Sequence, residues 1–134
     1  MFTLLGKNGD NCIIIKPIDF CGYGHEGYVY KCRLTIVADS LGVNYDELFI
    51  ARGEIISFDK SLDIVGNKLI TMGVFANEDL NFTVTSTKYG QTIVEGVFNQ
   101  NNGKNYMCKF GFESDITCVE RVKSEIKDFL TDNQ

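Results

Sequence analysis

Apolar and polar residues alternate with a period of two along most of this sequence, the pattern of half-buried strands in an antiparallel sheet. Tyr28, Tyr30, Cys32, Leu34 and Ile36 share one face of the segment 28–38, with Lys31, Arg33 and Thr35 mostly opposite. Leu80, Phe82 and Val84 alternate with Asn81, Thr83 and Thr85, and Tyr106, Cys108, Phe110 and Phe112 form a third row. Weaker patterns predict strands at 2–5, 12–20, 47–57, 69–75 and 91–98. Asn8-Gly9 and Asn102-Gly103 read as hairpin turns, since both residue types accept positive φ, and Gly66-Asn67 and Tyr89-Gly90-Gln91 are similar breaks. Pro17 cannot donate a ladder hydrogen bond, so its strand is either an edge or bulged there.

The period changes near the C-terminus. Ile116, Val119, Val122, Ile126, Phe129 and Leu130 recur at helical spacing, with Glu120, Arg121, Lys123, Glu125 and Lys127 off that stripe. This predicts an amphipathic helix packed on the sheet, its start marked both by Asp115 and by the capping-box pattern Thr117-x-x-Glu120. Phe58, Leu62 and Val65 suggest a short helix or irregular turn over 58–66. The expected fold is α+β: an antiparallel sheet, meander-like and open to strong curvature, with a C-terminal α-helix packed on one face. Residues 1–134 are read as a single domain, large enough to bury roughly 65 to 70% of the unfolded chain's surface without staples.

Charge narrows the function classes. Thirteen Lys and Arg against 18 Asp and Glu give a net charge of −5, the wrong sign for gripping nucleic acid or anionic membranes. Apolar runs such as Ile13-Ile14-Ile15 are far shorter than the roughly 20 residues of a spanning helix, and the first ten residues do not form a secretory signal. A cytoplasmic protein is expected, with neither direct nucleic-acid nor membrane partners. The five cysteines (Cys12, Cys21, Cys32, Cys108, Cys118) form neither CxxC nor a zinc-type cluster with histidine, and read as small core residues. No cofactor is expected.

Gly22-Tyr-Gly-His-Glu-Gly27-Tyr-Val29 matches the spacing of a glycine-rich phosphate loop, and even its kinase form GxGxxGxV. A dinucleotide loop leads from a strand into a helix, whereas a strand is expected directly after this segment. A kinase needs partner motifs that are absent here, so a Gly and Tyr hairpin loop with contact potential is the better reading. His25, the only histidine, and nearby Cys21 would be the nucleophilic candidates of an enzyme, but nothing in the sequence fixes them together. Residues 39–63 hold 6 acidic groups (Asp39, Asp46, Glu47, Glu54, Asp59, Asp63) against 2 basic ones. Asp46, Glu47, Glu54, Asp59 and Asp63 are the candidate contacts for a basic partner.

Phe2-x-Leu4-x-Gly6-x-Asn8, Leu80-x-Phe82-x-Val84, and Phe110-x-Phe112-x-x-Asp115 leading into a helix that ends at Phe129-Leu130 resemble the WapI-type immunity proteins. The resemblance follows the order of elements along the chain. It implies a non-enzymatic cytoplasmic protein that binds and neutralises the cognate toxin's C-terminal domain in a one-to-one complex, the toxin being of the polymorphic, contact-delivered kind. No catalytic residue carries over. A basic nuclease-type toxin would match the acidic segment in sign. The alternative is a small hydrophobic-ligand carrier of β-barrel type, its cavity lined from the 10 Phe and 6 Tyr.

Overall fold

The computed structural model describes residues 1–101 and 105–133. The chain opens with a four-stranded antiparallel meander, β1 (Phe2–Leu5), β2 (Cys12–Gly24), β3 (Gly27–Ala38) and β4 (Leu41–Ala51), followed by α1 (Arg52–Ser61). A small hairpin, β5 (Ile64–Val65) and β6 (Lys68–Leu69), leads to a second meander. This one consists of β7 (Gly73–Ala76), β8 (Leu80–Ser86), β9 (Thr92–Asn101) and β10 (Asn105–Ser114), and α2 (Ile116–Asp132) ends it. Four strands and a helix thus occur twice, although no repeat is visible in the sequence. The α+β class and the C-terminal helix agree with the periodicity; the expected single sheet is divided in two, and neither half closes into a barrel.

The strand rows point where alternation placed them, except that Tyr106, at the start of the third row, is exposed. Tyr30, Cys32, Leu34 and Ile36 are buried against Phe82, Val84, Val94 and Phe98 of the second sheet and Val119, Val122 and Ile126 of α2, in one continuous core. Phe58 of α1 joins them through Phe75 and Phe82, with ring centroids 5.5 and 5.3 Å away. At the corner where β1 meets β10, the Lys7 N–H donates to the Glu113 carbonyl at 2.8 Å and the Ser114 hydroxyl to the Leu5 carbonyl at 2.6 Å. The outer edge of β1 is served by α2, since the Thr3 N–H donates to Glu125 Oε1 at 2.8 Å.

Two glycines decide local shape. Gly96 lies opposite Phe82 and Phe110 on neighbouring strands, and a Cβ there would stand 2.5 Å from Phe82 Cβ and 2.6 Å from both Phe110 Cζ and the Asn81 carbonyl. Only a residue without a side chain lets the second sheet fold that tightly. Gly9 takes a φ of 78° in the β1–β2 turn, as Asn8-Gly9 predicts. Asn102-Gly103 lies outside the described residues.

Segment 47–57, expected as a strand, is a correction: β4 ends at Ala51 and α1 occupies Arg52–Ser61, so the short helix sought at 58–66 begins earlier. The physical reason is a concealed start. Ala51 at the N-cap has no side-chain acceptor and Gly53 follows it, so the usual Ser, Thr, Asp or Asn signal is missing. Pro17 stands in a strand interior to its sheet, but β1 pairs no further than Ile15 and a bulge follows Pro17, so the missing N–H breaks no β1 ladder bond. The segment 69–75 divides between β6 and β7.

Candidate interaction surfaces

The five acidic candidates occupy different settings. Asp46 and Glu47 sit on β4 where the pairing with β3 slips between Leu34↔Tyr45 and Cys32↔Leu48, so two residues face Arg33 alone. This bulge exposes both carboxylates on a strand that alternation would split between two faces. Asp46 Oδ1 takes the Arg33 Nε–H at 2.9 Å and keeps 65% of its side chain exposed, while Glu47 has no side-chain partner among the described residues. Asp59 on α1 faces α2, where the Lys123 ammonium donates to its carbonyl at 2.8 Å and to its carboxylate at 3.1 Å. Asp63 follows α1 and is exposed.

Glu54 is turned to a structural task. Its Oε1 accepts the Ala51 N–H at 2.8 Å, the half of a capping box made by the N3 glutamate, and both its oxygens accept from Asn77 Nδ2 at 3.1 and 3.2 Å. The same amide reaches the Phe49 carbonyl at 2.9 Å, and Asn77 Oδ1 accepts the Asp79 N–H at 3.0 Å. One buried asparagine therefore ties β4, the start of α1 and the β7–β8 turn. Burial pushes the Glu54 carboxyl above its ordinary range, against the pull of its bonds to Ala51 and Asn77; the charges of Glu26 and Glu78 push the same way. No hydrogen bond or ion pair among the described residues joins any two of Asp46, Glu47, Glu54, Asp59 and Asp63.

Gly22–Val29 forms the end of a long hairpin, with His25-Glu26 between β2 and β3. It runs strand, turn, strand, so no helix follows to receive a pyrophosphate. Two bulges, at Pro17/Asp19 and Phe20/Gly22, keep Phe20 opposite Tyr30 and Tyr23 opposite Tyr28. The result is a ladder of edge-to-face rings: Tyr23 to Tyr28 at 5.1 Å, Tyr28 to Phe20 at 5.3 Å, Phe20 to Tyr30 at 6.1 Å, then Tyr30 to Phe129 of α2 at 5.1 Å. Tyr30 belongs to the core, yet Phe20 is 57% and Tyr23 79% exposed. The row legible at 28–36 therefore continues onto β2 as a surface strip; the bulges hide it from a count by twos.

His25 and Cys21 are both exposed, with no hydrogen bond between them. Cys32, in the core, has its thiol pushed up to about 12, first by burial and then by Cys21 nearby. Among the described residues no three of His, Cys, Asp and Glu are grouped to hold a metal ion, and no helix is long and apolar enough to cross a membrane. At the centre of the core is a gap of about 20 Å³ between the two sheets and both helices. A hollow of about 570 Å³ beside the second sheet is an open trough bordered by Glu95 and Lys109. No protein-family model and no curated protein matches this sequence.

Proposed function

We propose that this protein is a non-enzymatic, cytoplasmic immunity protein of the WapI type, binding the C-terminal domain of a polymorphic toxin and neutralising it. The observation that carries the reading is the pair Asp46 and Glu47, displayed at a bulge with one cation between them, on a chain of net charge −5. Toxin domains that cut nucleic acid present basic clefts, and an acidic inhibitor docks there with fast, salt-sensitive association. The filled core supports this reading over a hydrophobic-ligand carrier. A gap of 20 Å³ is close to the room for one water, far below the several hundred Å³ of a ligand pocket.

The test is a tagged pull-down from the native host at low and high salt, read by native mass spectrometry. The expected result is a one-to-one complex with a basic toxin domain, released by salt, and an affinity about tenfold weaker in Glu47→Lys with Asp63→Lys. Among the described residues these two exposed side chains have no partner, so their reversal leaves the structure intact. Unchanged affinity would remove the acidic segment from the interface. A constant small added mass in place of a toxin would support the carrier.

A further inference from the structure

We infer that the β2–β3 hairpin end is a second docking surface, built to hold arginine side chains of a basic protein partner. The inference rests on the reading of this chain as a binder of basic proteins and places a contact outside the acidic segment 39–63. Three observations converge on it.

Phe20, Tyr23 and Tyr28 form a continuous ring ladder that passes out of the core into solvent. Large exposed aromatics on one face of a two-stranded hairpin give contact area at small entropic cost, and their π faces attract guanidinium groups.

The strip is held rigidly. The Gly53 N–H donates to the Glu26 carbonyl at 2.7 Å, pinning the hairpin turn to the start of α1. A Cβ on Gly53 would lie 2.8 Å from Glu26 Cβ, so the close approach requires glycine. Next to it, the Arg52 guanidinium donates to the Leu130 and Asn133 carbonyls at 2.9 and 2.7 Å, bringing the end of α2 to the same place.

The surroundings carry free negative charge. Glu26, Asp128 and Asp132 are exposed, and none is in an ion pair among the described residues. Asp128 and Asp132 stand at the C-terminal end of α2, which has no basic residue in its last turn, where the helix dipole favours cations. Arg52 offsets part of this charge, and the excess of acid over base suits a cationic partner. Arg52 directs two of its five donors to the α2 carbonyls and supplies one positive charge against these three acids. Aromatic centre and acidic border together fit an arginine-rich surface and disfavour a second copy of this acidic chain.

The experiment titrates the full-length, 15N-labelled protein with a nona-arginine peptide, and in parallel with nona-lysine, at low salt. The expected result is a set of shift changes centred on Phe20, Tyr23, Tyr28 and the last turn of α2, with tighter binding of the arginine peptide. Tyr23→Ser should weaken that binding at least threefold, and Tyr23→Ser with Phe20→Ser at least tenfold, while Glu47→Lys changes it less than twofold. Tyr23 is exposed enough that its single variant keeps the fold. Shifts centred on Glu47 or Asp63, equal binding of both peptides, or concentration-dependent shifts of the hairpin without peptide would each overturn the inference. The peptide needs no toxin, so a failure here leaves the pull-down result untouched, and an empty pull-down leaves this one standing.

Discussion

Glu54 and Asn77, 23 positions apart, share a bidentate contact in which one side-chain amide donates to both carboxylate oxygens at 3.1 and 3.2 Å. The pair joins the two halves of the fold at α1, as the Lys7 N–H and the Glu113 carbonyl join them where β1 meets β10.

Because burial raises the Glu54 carboxyl, the folded state holds a proton to higher pH than the unfolded chain. Stability linked to that proton is fully present below the ordinary value of about 4.5, and is lost as pH rises through the raised folded value. Glu54→Gln keeps an oxygen for the Ala51 N–H and does not titrate. Urea unfolding of both proteins from pH 4 to pH 8 should show Glu54→Gln gaining stability relative to the parent as pH rises. A constant difference would mean that Glu54 titrates normally.

Gly96→Ala should destabilise by about 3 kcal/mol, since the new methyl meets Phe82 Cβ and the Asn81 carbonyl as well as the Phe110 ring. The ring tip can move, but the other two atoms cannot. Phe110→Leu added to Gly96→Ala should therefore restore little of the loss in thermal unfolding, whereas substantial rescue would place the constraint in the ring.

The two candidate starts of α2 separate by substitution. Asp115 Oδ1 accepts the Cys118 N–H at 2.9 Å, while Thr117 lies inside the helix and is exposed. Asp115→Ala should cost about 1 kcal/mol and Thr117→Ala less than about 0.5 kcal/mol, measured by chemical denaturation. Equal costs would restore the Thr117-x-x-Glu120 box.

How much was legible depended on whether the signal was local. The rows at 28–36, 80–84 and 106–112 needed only the two-residue period of a strand, and α2 needed only a stripe at 3.6. Helix α1 was misplaced because its N-cap is an alanine with no side-chain acceptor, and only the reverse bond from the Ala51 N–H to Glu54 marks the start. The acidic candidates were found by charge, but charge alone did not separate Glu54, committed to Asn77, and Asp59, committed to Lys123, from the unpartnered Glu47. Phe20 escaped notice because the bulge after Pro17 shifts its parity relative to Ile13 and Ile15, whereas Tyr23, returned to their parity by the second bulge, was already part of the loop read as a contact surface.

The sequence by itself determined the α+β class, most strand faces, the terminal helix and the sign of the surface charge, since each follows from neighbours along the chain. Tertiary structure decided that the strands form two four-stranded sheets and a small hairpin, that α1 bridges the larger two through Asn77, and that one aromatic row leaves the core at Tyr30 and meets the ends of both helices. These outcomes depend on which distant groups satisfy one another, as with Glu54 and Asn77 or Arg52 and the α2 carbonyls, and no local periodicity encodes that choice.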